Sequence, residues 1–494
     1  MSGIGCSGTE THSRAAFSAA RIRAAERALP IPEQVLMRRA AFGLATRAAA
    51  ALAERTGGVR GRKVALLVGA GNNGGDALWA GAFLRRRGVA VTAVLLSPDR
   101  AHPAGLRALR GAGGRIADHV PAGTHLVLDG IVGLSGRGGL RPEAAALVQA
   151  VQAPIIAVDS PSGVDPDTGA ADGPAVTATE TVTFGARKPV HLLAPWRCGP
   201  VHLVDIGLFP ELGEPDLQAL SAAEIGAGWP VPGPASDKYS QGVVGIAAGS
   251  ADYPGAAVLC AGAAVLSTSG MVRFAGTAAD VVRARWPEVV ATGSVADAGR
   301  VQAWAVGPGM GTGAAGRQVL THVLAAGVPV VADADAITLL ARYPELRDSR
   351  DPDTPLVLTP HDRELERLTG TLPGADRVAA ARGAAQRFGA VLLLKGNTTI
   401  IAAPDGRVLV NPARSAWPAT AGSGDVLTGV LGALLAAGLE PSRAAAAAAH
   451  AQELAATIAA RGGTAIGAPA PASAIQAALS DAIRTLRSAA GVQG

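Results

Sequence analysis

Aromatic residues make up only 3% of these 494 residues, too few to furnish the stacking platforms on which single-stranded nucleic acid is held. Cysteine is scarcer still: Cys6, Cys198 and Cys260 stand far apart without a C-x-x-C pair, which excludes a disulfide framework and a structural zinc site. Charged residues amount to 17%, and the formal charge of +5 comes from arginines scattered among acids rather than from a basic arm. No apolar stretch reaches the roughly 18 residues of a membrane span. The opening residues MSGIGCSGTETHSRAAF lack the apolar core of a secretory signal. Together these absences lead us to expect a cytoplasmic protein with neither nucleic acid nor membrane as partner.

What is present is an alanine-rich composition, 49% hydrophobic, with 64 glycines spread over turn positions. At about 150 residues per domain the length implies two or three domains. From Lys63 to Val204 the apolar runs VALLVG, VAVTAVLL, HLVLDG, PIIAVDS, ETVTFGA and VHLVDIG alternate with helical patterns, the signature of a parallel sheet covered by helices. A helix is expected ahead of them, over Ile31 to Glu54. Between Phe209 and Gly242 the chain becomes rich in proline and glycine and reads as a connector. A second α/β pattern follows in GVVGIAAGS, AWAVGPGMG, VPVVADADA and PLVLTPHD, then the hairpin-like AVLLLKGNTTIIAAPDGRVLVN and alanine-rich helices. The expected domains are 14–215 and 241–490, joined by a linker at 216–240.

The stretch VALLVGAGNNGGDALW fits the dinucleotide fingerprint G-x-G-x-x-G after a strand, with Asp99 as the acidic residue expected to end the next strand. Asn72, Asn73 and Asp76 are more than a bare pyrophosphate cradle needs. Asp129 ends the HLVLD strand, and Asp159 and Ser162 lie in VDSPSGVD, so three loops at the C-terminal ends of strands carry small polar groups. Taken singly each is an ordinary turn or cap residue; together they suit a hard cation rather than zinc. The loop Gly130 to Leu140 adds backbone N–H groups able to face phosphates.

G-x-G-N-N-G-G-D, the glycine-rich loop after Asp129 and D-x-P-S-G resemble the NAD(P)H-hydrate epimerase family, which interconverts the R and S forms of hydrated NADH and NADPH (NADHX and NADPHX) at C6. The resemblance implies K+ ligation by Asn73, Asp129 and Ser162. It implies substrate contacts from Asn72, Asn73, Gly74, Gly75 and Asp76, from Gly133, Leu134, Ser135, Gly136, Arg137, Gly138 and Gly139, and from Asp159, which is also the implied catalytic acid/base. Ala77 stands where the family has glycine, which the first turn of a helix tolerates.

In the second half, Thr420-Ala421-Gly422-Ser423-Gly424-Asp425 opens an apolar helix and aims backbone N–H groups and the positive helix end at one spot, an anion hole for a transferring phosphoryl group. Asp425 beside it is placed to take a proton. This segment, with Tyr253-Pro254-Gly255-Ala256, the Gly307–Gly311 loop, Asp333-Ala334-Asp335, Thr359-Pro360-His361 and Lys395-Gly396-Asn397-Thr398-Thr399, resembles the ribokinase-like fold and, within it, the ADP-dependent NAD(P)H-hydrate dehydratase family, from whose N-P-G-N-P element Asn411-Pro412-Ala413-Arg414-Ser415 departs. The resemblance implies nucleotide contacts from Lys395, Gly396, Asn397, Thr398, Thr399 and Gly424. It implies contacts to the S hydrate from Ala256, Gly309, Gly311, His361 and Asp425, with Asp425 as catalytic base, and ADP as co-substrate with Mg2+.

On the residues alone three readings stay open. His361 is a ligand or a structural histidine; Thr359 as N-cap and Pro360 at N1 would start a helix whose positive end favours a neutral ring. Lys395 is a contact or an edge lysine. Asp333 and Asp335 hold substrate, hold Mg2+ or cap a helix. The fold class expected is therefore α/β: an N-terminal Rossmann-like three-layer αβα domain followed by a C-terminal ribokinase-like α/β domain. The expected function is repair of hydrated NADH and NADPH by epimerisation and ADP-dependent dehydration, in a homo-oligomer; the alternative is a ribokinase-like small-molecule kinase fused to a nucleotide-binding Rossmann domain.

Overall fold

The computed structural model describes residues 14–268, 270–348, 350–412 and 415–491; Cys6, Ala413 and Arg414 of the sequence reading lie outside them. The chain divides into two compact units after Gln218.

In the first unit, seven strands form one parallel sheet: β1 (Lys63–Val68), β2 (Ala90–Leu95), β3 (Arg115–Ala117), β4 (Leu126–Gly130), β5 (Ile155–Val158), β6 (Glu180–Phe184) and β7 (Val201–Val204), in the order β3-β2-β1-β4-β5-β6-β7. Both faces are covered. Val64, Leu66 and Val68 join one apolar cluster and Ala65 and Leu67 the other, the period-2 alternation of a strand buried on both sides. Helices α1 (Ala19–Ala28), α2 (Glu33–Thr56) and α3 (Asn72–Arg86) belong to this unit. The expected leading helix is thus α2, preceded by α1. Asp99 does not end β2: it is exposed in a short 3-10 turn, Pro98–Arg100, three residues past the strand, because the ladder stops at Leu95.

The second unit contains β8 (Val243–Ala247), β9 (Met271–Ala275), β10 (Val290–Thr292), β11 (Ala303–Val306), β12 (Val330–Ala332), β13 (Leu356–Leu358), β14 (Val391–Leu394), β15 (Thr399–Ala402) and β16 (Val408–Asn411). They run β10-β9-β8-β11-β12-β13-β14-β15-β16, parallel except for the antiparallel β14-β15-β16 meander that the hairpin-like run implied. Part of the expected connector is structured, since Ala222–Gly228 is a helix closed by a Ser221/Glu224 capping box, with Ile225 in the second unit's core.

In each sheet the strand order reverses once, between β1 and β4 and between β8 and β11, and the crevice at such a reversal is where open α/β sheets bind ligands.

Candidate active sites in the two units

Register brings the first set of residues together. Leu67 pairs with Asp129 and Asp129 with Ala157, so the loops after β1, β4 and β5 leave the same edge of the sheet side by side. Backbone approach dictates the fingerprint glycines. A Cβ on Gly69 would stand 1.8 Å from the Ile131 carbonyl oxygen, and Gly71, the N-cap of α3, has φ 92°. Ala77 lies inside α3, fully buried, and a Cβ on Gly130 would meet its methyl at 2.7 Å, so the small residue at 130 makes room for the alanine.

Asp129 is fully buried. Its Oδ1 accepts from Ser162 Oγ (2.7 Å) and from Ile131 N (3.3 Å), and its Oδ2 accepts from Ser162 N (2.9 Å). All three donors are neutral, and burial pushes the carboxyl up to about 6. Asn73 reaches the same place from α3: a Cβ on Gly133 would lie 2.9 Å from Asn73 Oδ1. The buried Asp129 carboxylate and Ser162 hydroxyl and the half-buried Asn73 amide, with no countercharge on Asp129, make an oxygen donor set that fits a hard cation.

Asp159 has φ 68°, one of two non-glycine residues with positive φ among the described residues. Its Oδ1 accepts from Lys188 Nζ and from Thr183 Oγ1 (3.1 Å), and its carbonyl accepts from His191 Nε2 (2.9 Å). Asp76 is buried near it: desolvation first, then the charges of Asp159 and Glu26, drive the Asp76 carboxyl well above the usual carboxylate range. Asn72 Nδ2 donates to Glu33 Oε1 at 2.5 Å. Asn72, Asp76, Glu26, Glu33, Arg23 and Phe184 line a cavity of about 420 Å³. In the glycine-rich loop, Gly133 and Gly136 are buried, whereas Ser135, Arg137 and Gly138 are exposed. Arg137 is turned onto Asp167 (3.1 Å) and Asp165 (3.4 Å), and Leu134 is held by Arg23, which donates to its carbonyl at 2.8 Å. Sequence reasoning missed Arg23, Glu26, Thr183, Lys188 and His191, which belong to no motif it used.

In the second unit Ala247 pairs with Val306, Val306 with Ala332, Ala332 with Leu358 and Leu358 with Leu392. That register sets Gly307–Gly311, Asp333, His361 and Lys395 along one edge. Helices α4 (Pro254–Ser267), α5 (Asp335–Arg342), α6 (Asp362–Thr369) and α7 (Ser423–Ala436) start there. A Cβ on Gly309 would come within 3.0 Å of the Ala256 Cβ, which places those two expected substrate contacts against each other at the reversal.

Asp333 is the hub. Its Oδ1 accepts from Lys395 Nζ (2.7 Å) and its Oδ2 from Thr428 Oγ1 (2.9 Å) of α7. A Cβ on Gly424 would lie 3.6 Å from Asp333 Oδ2 and 3.8 Å from Lys395 Nζ, so helix end, lysine and aspartate converge. Asp425, in the first turn of α7, is pushed up to about 7 by burial and by the charge of Asp333, against the pull of Lys395. Burial opposes the charge on Lys395, but Asp333 and Glu364 outweigh it and the ammonium is held above its ordinary value. Lys395 is no edge lysine, since β14 pairs on both sides. Gly396 and Asn397 are exposed at the turn, Thr398 is buried and Thr399 half-buried.

Asp333 does not cap a helix: Ala334 is the N-cap of α5, and each Asp333 oxygen accepts one side-chain bond. Asp335 accepts from Gly311 N (2.9 Å) and thereby ties down the glycine loop. Ala334 between them has φ 50°, the other strained non-glycine. His361, not Thr359, is the N-cap of α6: its Nδ1 accepts from Arg363 N (3.1 Å) and Glu364 N (3.3 Å), while Glu364 Oε2 accepts from His361 N (2.9 Å). The imidazole reaches the amides that a threonine two residues earlier would miss, and an accepting Nδ1 carries no proton.

The two centres define a two-unit α/β protein of nucleotide-handling type, with an oxygen-lined crevice in a Rossmann-like unit and a helix N-terminus, a lysine and carboxylates converging in a ribokinase-like unit. Residues 33–190 match the family described as YjeF-related protein N-terminus, and residues 244–477 match the NAD(P)H-hydrate dehydratase family. The chain is 57% identical over 435 residues to the bifunctional NAD(P)H-hydrate repair enzyme Nnr of Mycobacterium tuberculosis (strain CDC 1551 / Oshkosh), spanning 87% of this chain and 91% of the relative. Against that of Corynebacterium glutamicum it is 41% identical over 448 residues, spanning 76% and 78%. A solved ADP/ATP-dependent NAD(P)H-hydrate dehydratase from Bacillus subtilis, co-crystallised with ATP and Mg2+, is 28% identical and spans 54% of this chain and 98% of its own, at a TM-score of 0.48. The chain belongs to the family of bifunctional NAD(P)H-hydrate repair enzymes. Arg23, Glu26 and Arg27 of the first cavity precede the residues matched by the N-terminal family.

Proposed function

We propose that the first unit interconverts the R and S hydrates of NADH and NADPH at C6, and that the second converts the S hydrate and ADP into NAD(P)H, AMP and phosphate. The observation that carries the reading is the placement of one carboxylate in each crevice, the buried Asp159 and the half-buried Asp425, near a lysine and among groups suited to a dinucleotide.

In the first unit the C6 hydroxyl leaves as water once protonated, the ring nitrogen supplies the electron pair, and water returns to the other face and surrenders a proton. Asp159 is the group we assign to move that proton. Asn72 to Asp76, Gly133 to Gly139 and Asp159 hold the substrate. Asn73, Asp129 and Ser162 would hold K+, whose charge offsets the buried Asp129 carboxylate.

In the second unit Asp425 takes the proton of the hydrate hydroxyl as it attacks the β-phosphoryl of ADP, and the phosphate ester then eliminates. Ala256, Gly309, Gly311 and His361 line the hydrate side. Lys395, the turn to Thr399 and Gly424 line the nucleotide side, with the N-terminus of α7 and Lys395 facing the transferring charge. Mg2+ brought in with ADP would offset the charge of its phosphates, with the Asp333 carboxylate, which accepts from Lys395 and Thr428, beside the helix end.

No helix among the described residues is long and apolar enough to cross a membrane. We place the protein in the cytoplasm as a homo-oligomer, with functional units 14–215 and 241–490 joined by 216–240. The test is incubation of mixed R and S hydrates with ADP and Mg2+ while following the absorbance of reduced nicotinamide. Complete recovery is expected; no recovery overturns the dehydratase assignment, and a halt at the S fraction overturns the epimerase assignment.

A further inference from the structure

Lys188 is 1% exposed, far from the usual surroundings of an ammonium, and its three hydrogens are all used: Nζ donates to Asp159 Oδ1, to Thr183 Oγ1 (2.8 Å) and to the Phe184 carbonyl (3.2 Å). Thr183 Oγ1 donates in turn to Asp159 Oδ1 at 3.1 Å. All the bonds to this carboxylate fall on Oδ1, and among the described residues Oδ2 accepts none. The backbone is held from the same side. Lys188 N donates to His191 Nδ1 (3.0 Å), which leaves the proton on Nε2, and Nε2 donates to the Asp159 carbonyl (2.9 Å), bracing a residue whose φ is 68°.

We propose that Lys188 is the positioning residue of the epimerisation centre: with Thr183 it fixes Oδ1 of Asp159 and leaves Oδ2 as the oxygen that exchanges the proton. The proposal rests on the reading of Asp159 as the acid/base. It explains why a lysine is spent in the interior beside a reacting carboxylate. Burial disfavours the charged form of an unpaired carboxylate there, as it does for Asp76 close by, whose carboxyl it raises well above the usual range. The cation gives the carboxylate a countercharge in direct contact, and the one-sided bonding keeps it from rotating.

The experiment follows conversion of pure R hydrate to S hydrate without ADP, so that the second unit is silent, in Lys188→Met, Thr183→Val and Asp159→Asn beside the parent chain. For Lys188→Met we expect kcat to fall about 100-fold with KM changed less than about threefold, and the acid limb of the pH profile to move to higher pH. Thr183→Val removes one bond to Oδ1 without unpairing a charge, so it remains informative if Lys188→Met fails to fold. It should lose about tenfold in kcat with the limb moved the same way. Unmoved limbs and kcat in either folded variant overturn the role of Lys188. Activity retained in Asp159→Asn overturns instead the acid/base reading on which it rests.

Discussion

Lys395 and Asp333 form an ion pair, Nζ to Oδ1 2.7 Å, that bridges the C-terminal ends of β12 and β14 over the intervening β13. Asp333 is 3% exposed, and Thr428 of α7 takes its second oxygen. The pair therefore acts on Asp425 with both signs: Asp333 raises its carboxyl toward 7 and Lys395 lowers it. A base that must be ionised gives a dehydration rate that rises through about pH 7. Asp333→Asn should move that rise to lower pH and Lys395→Met to higher pH, each on the order of one pH unit. Shifts in the same direction would dissociate the pair from Asp425.

Asp425→Asn should abolish recovery of NADH from pure S hydrate, by about 1,000-fold or more, while calorimetry still registers ADP binding. Persisting turnover would show that another group takes the hydroxyl proton.

Asp159→Ala separates the two activities. With mixed hydrates, ADP and Mg2+, this variant should recover the S fraction at the parent rate and then stall, as read from the nicotinamide absorbance. Recovery continuing into the R fraction at the parent rate contradicts the assignment.

Asp129 links the K+ assignment to pH. Its carboxyl titrates near 6 in the fold against 3.8 when unfolded, so the folded form binds the proton more tightly. The resulting destabilisation is absent below about 3.8, grows as pH rises and is complete above about 6, at a cost on the order of 3 kcal/mol. K+ beside the ionised group offsets that cost. Potassium chloride in place of choline chloride should raise the unfolding temperature of the first unit at pH 8 and do little at pH 5; equal effects at both would remove Asp129 from the cation site.

Gly309 has φ 62°, and a Cβ there would lie 2.9 Å from the Tyr253 Cβ and 3.0 Å from the Ala256 Cβ. Gly309→Ala should destabilise the second unit by about 2 kcal/mol in urea unfolding and weaken binding of the S hydrate, with ADP affinity little changed.

The sequence was legible where chemistry and backbone geometry coincide. Gly69 and Gly71 announce a turn that only small residues can make, and Gly422-Ser423-Gly424-Asp425 announces a helix start aimed at an anion. Near-continuous apolar runs such as VALLV and VLLLK gave away the central strands, buried on both faces. The strands that escaped notice lie at or next to sheet edges: Arg115–Ala117 and Val290–Thr292 at the edges and Met271–Ala275 one strand in, with polar or half-exposed residues that dilute the pattern. Lys188 escaped, and the role of Asp333 stayed open among three readings, for another reason. Each acts through a partner 29 or 62 residues away, and only the register of the sheets brings those partners within reach. His361 was read as a residue that a helix end would influence, and it turned out to build that end itself.

The wall of the first cavity contributed by α1 bears on how the protein is pruned. Arg23, Glu26, Arg27, Leu29 and Ile31 all precede residue 33, where the family match begins. A fragment cut at that boundary would keep the fingerprint loop, the cation donors and Asp159, yet it would lack the side of the cavity opposite Asn72 and Asp76 and the arginine that holds the Leu134 carbonyl. An expression boundary drawn from similarity alone would leave Asn72 and Asp76 of the fingerprint loop in an open trench.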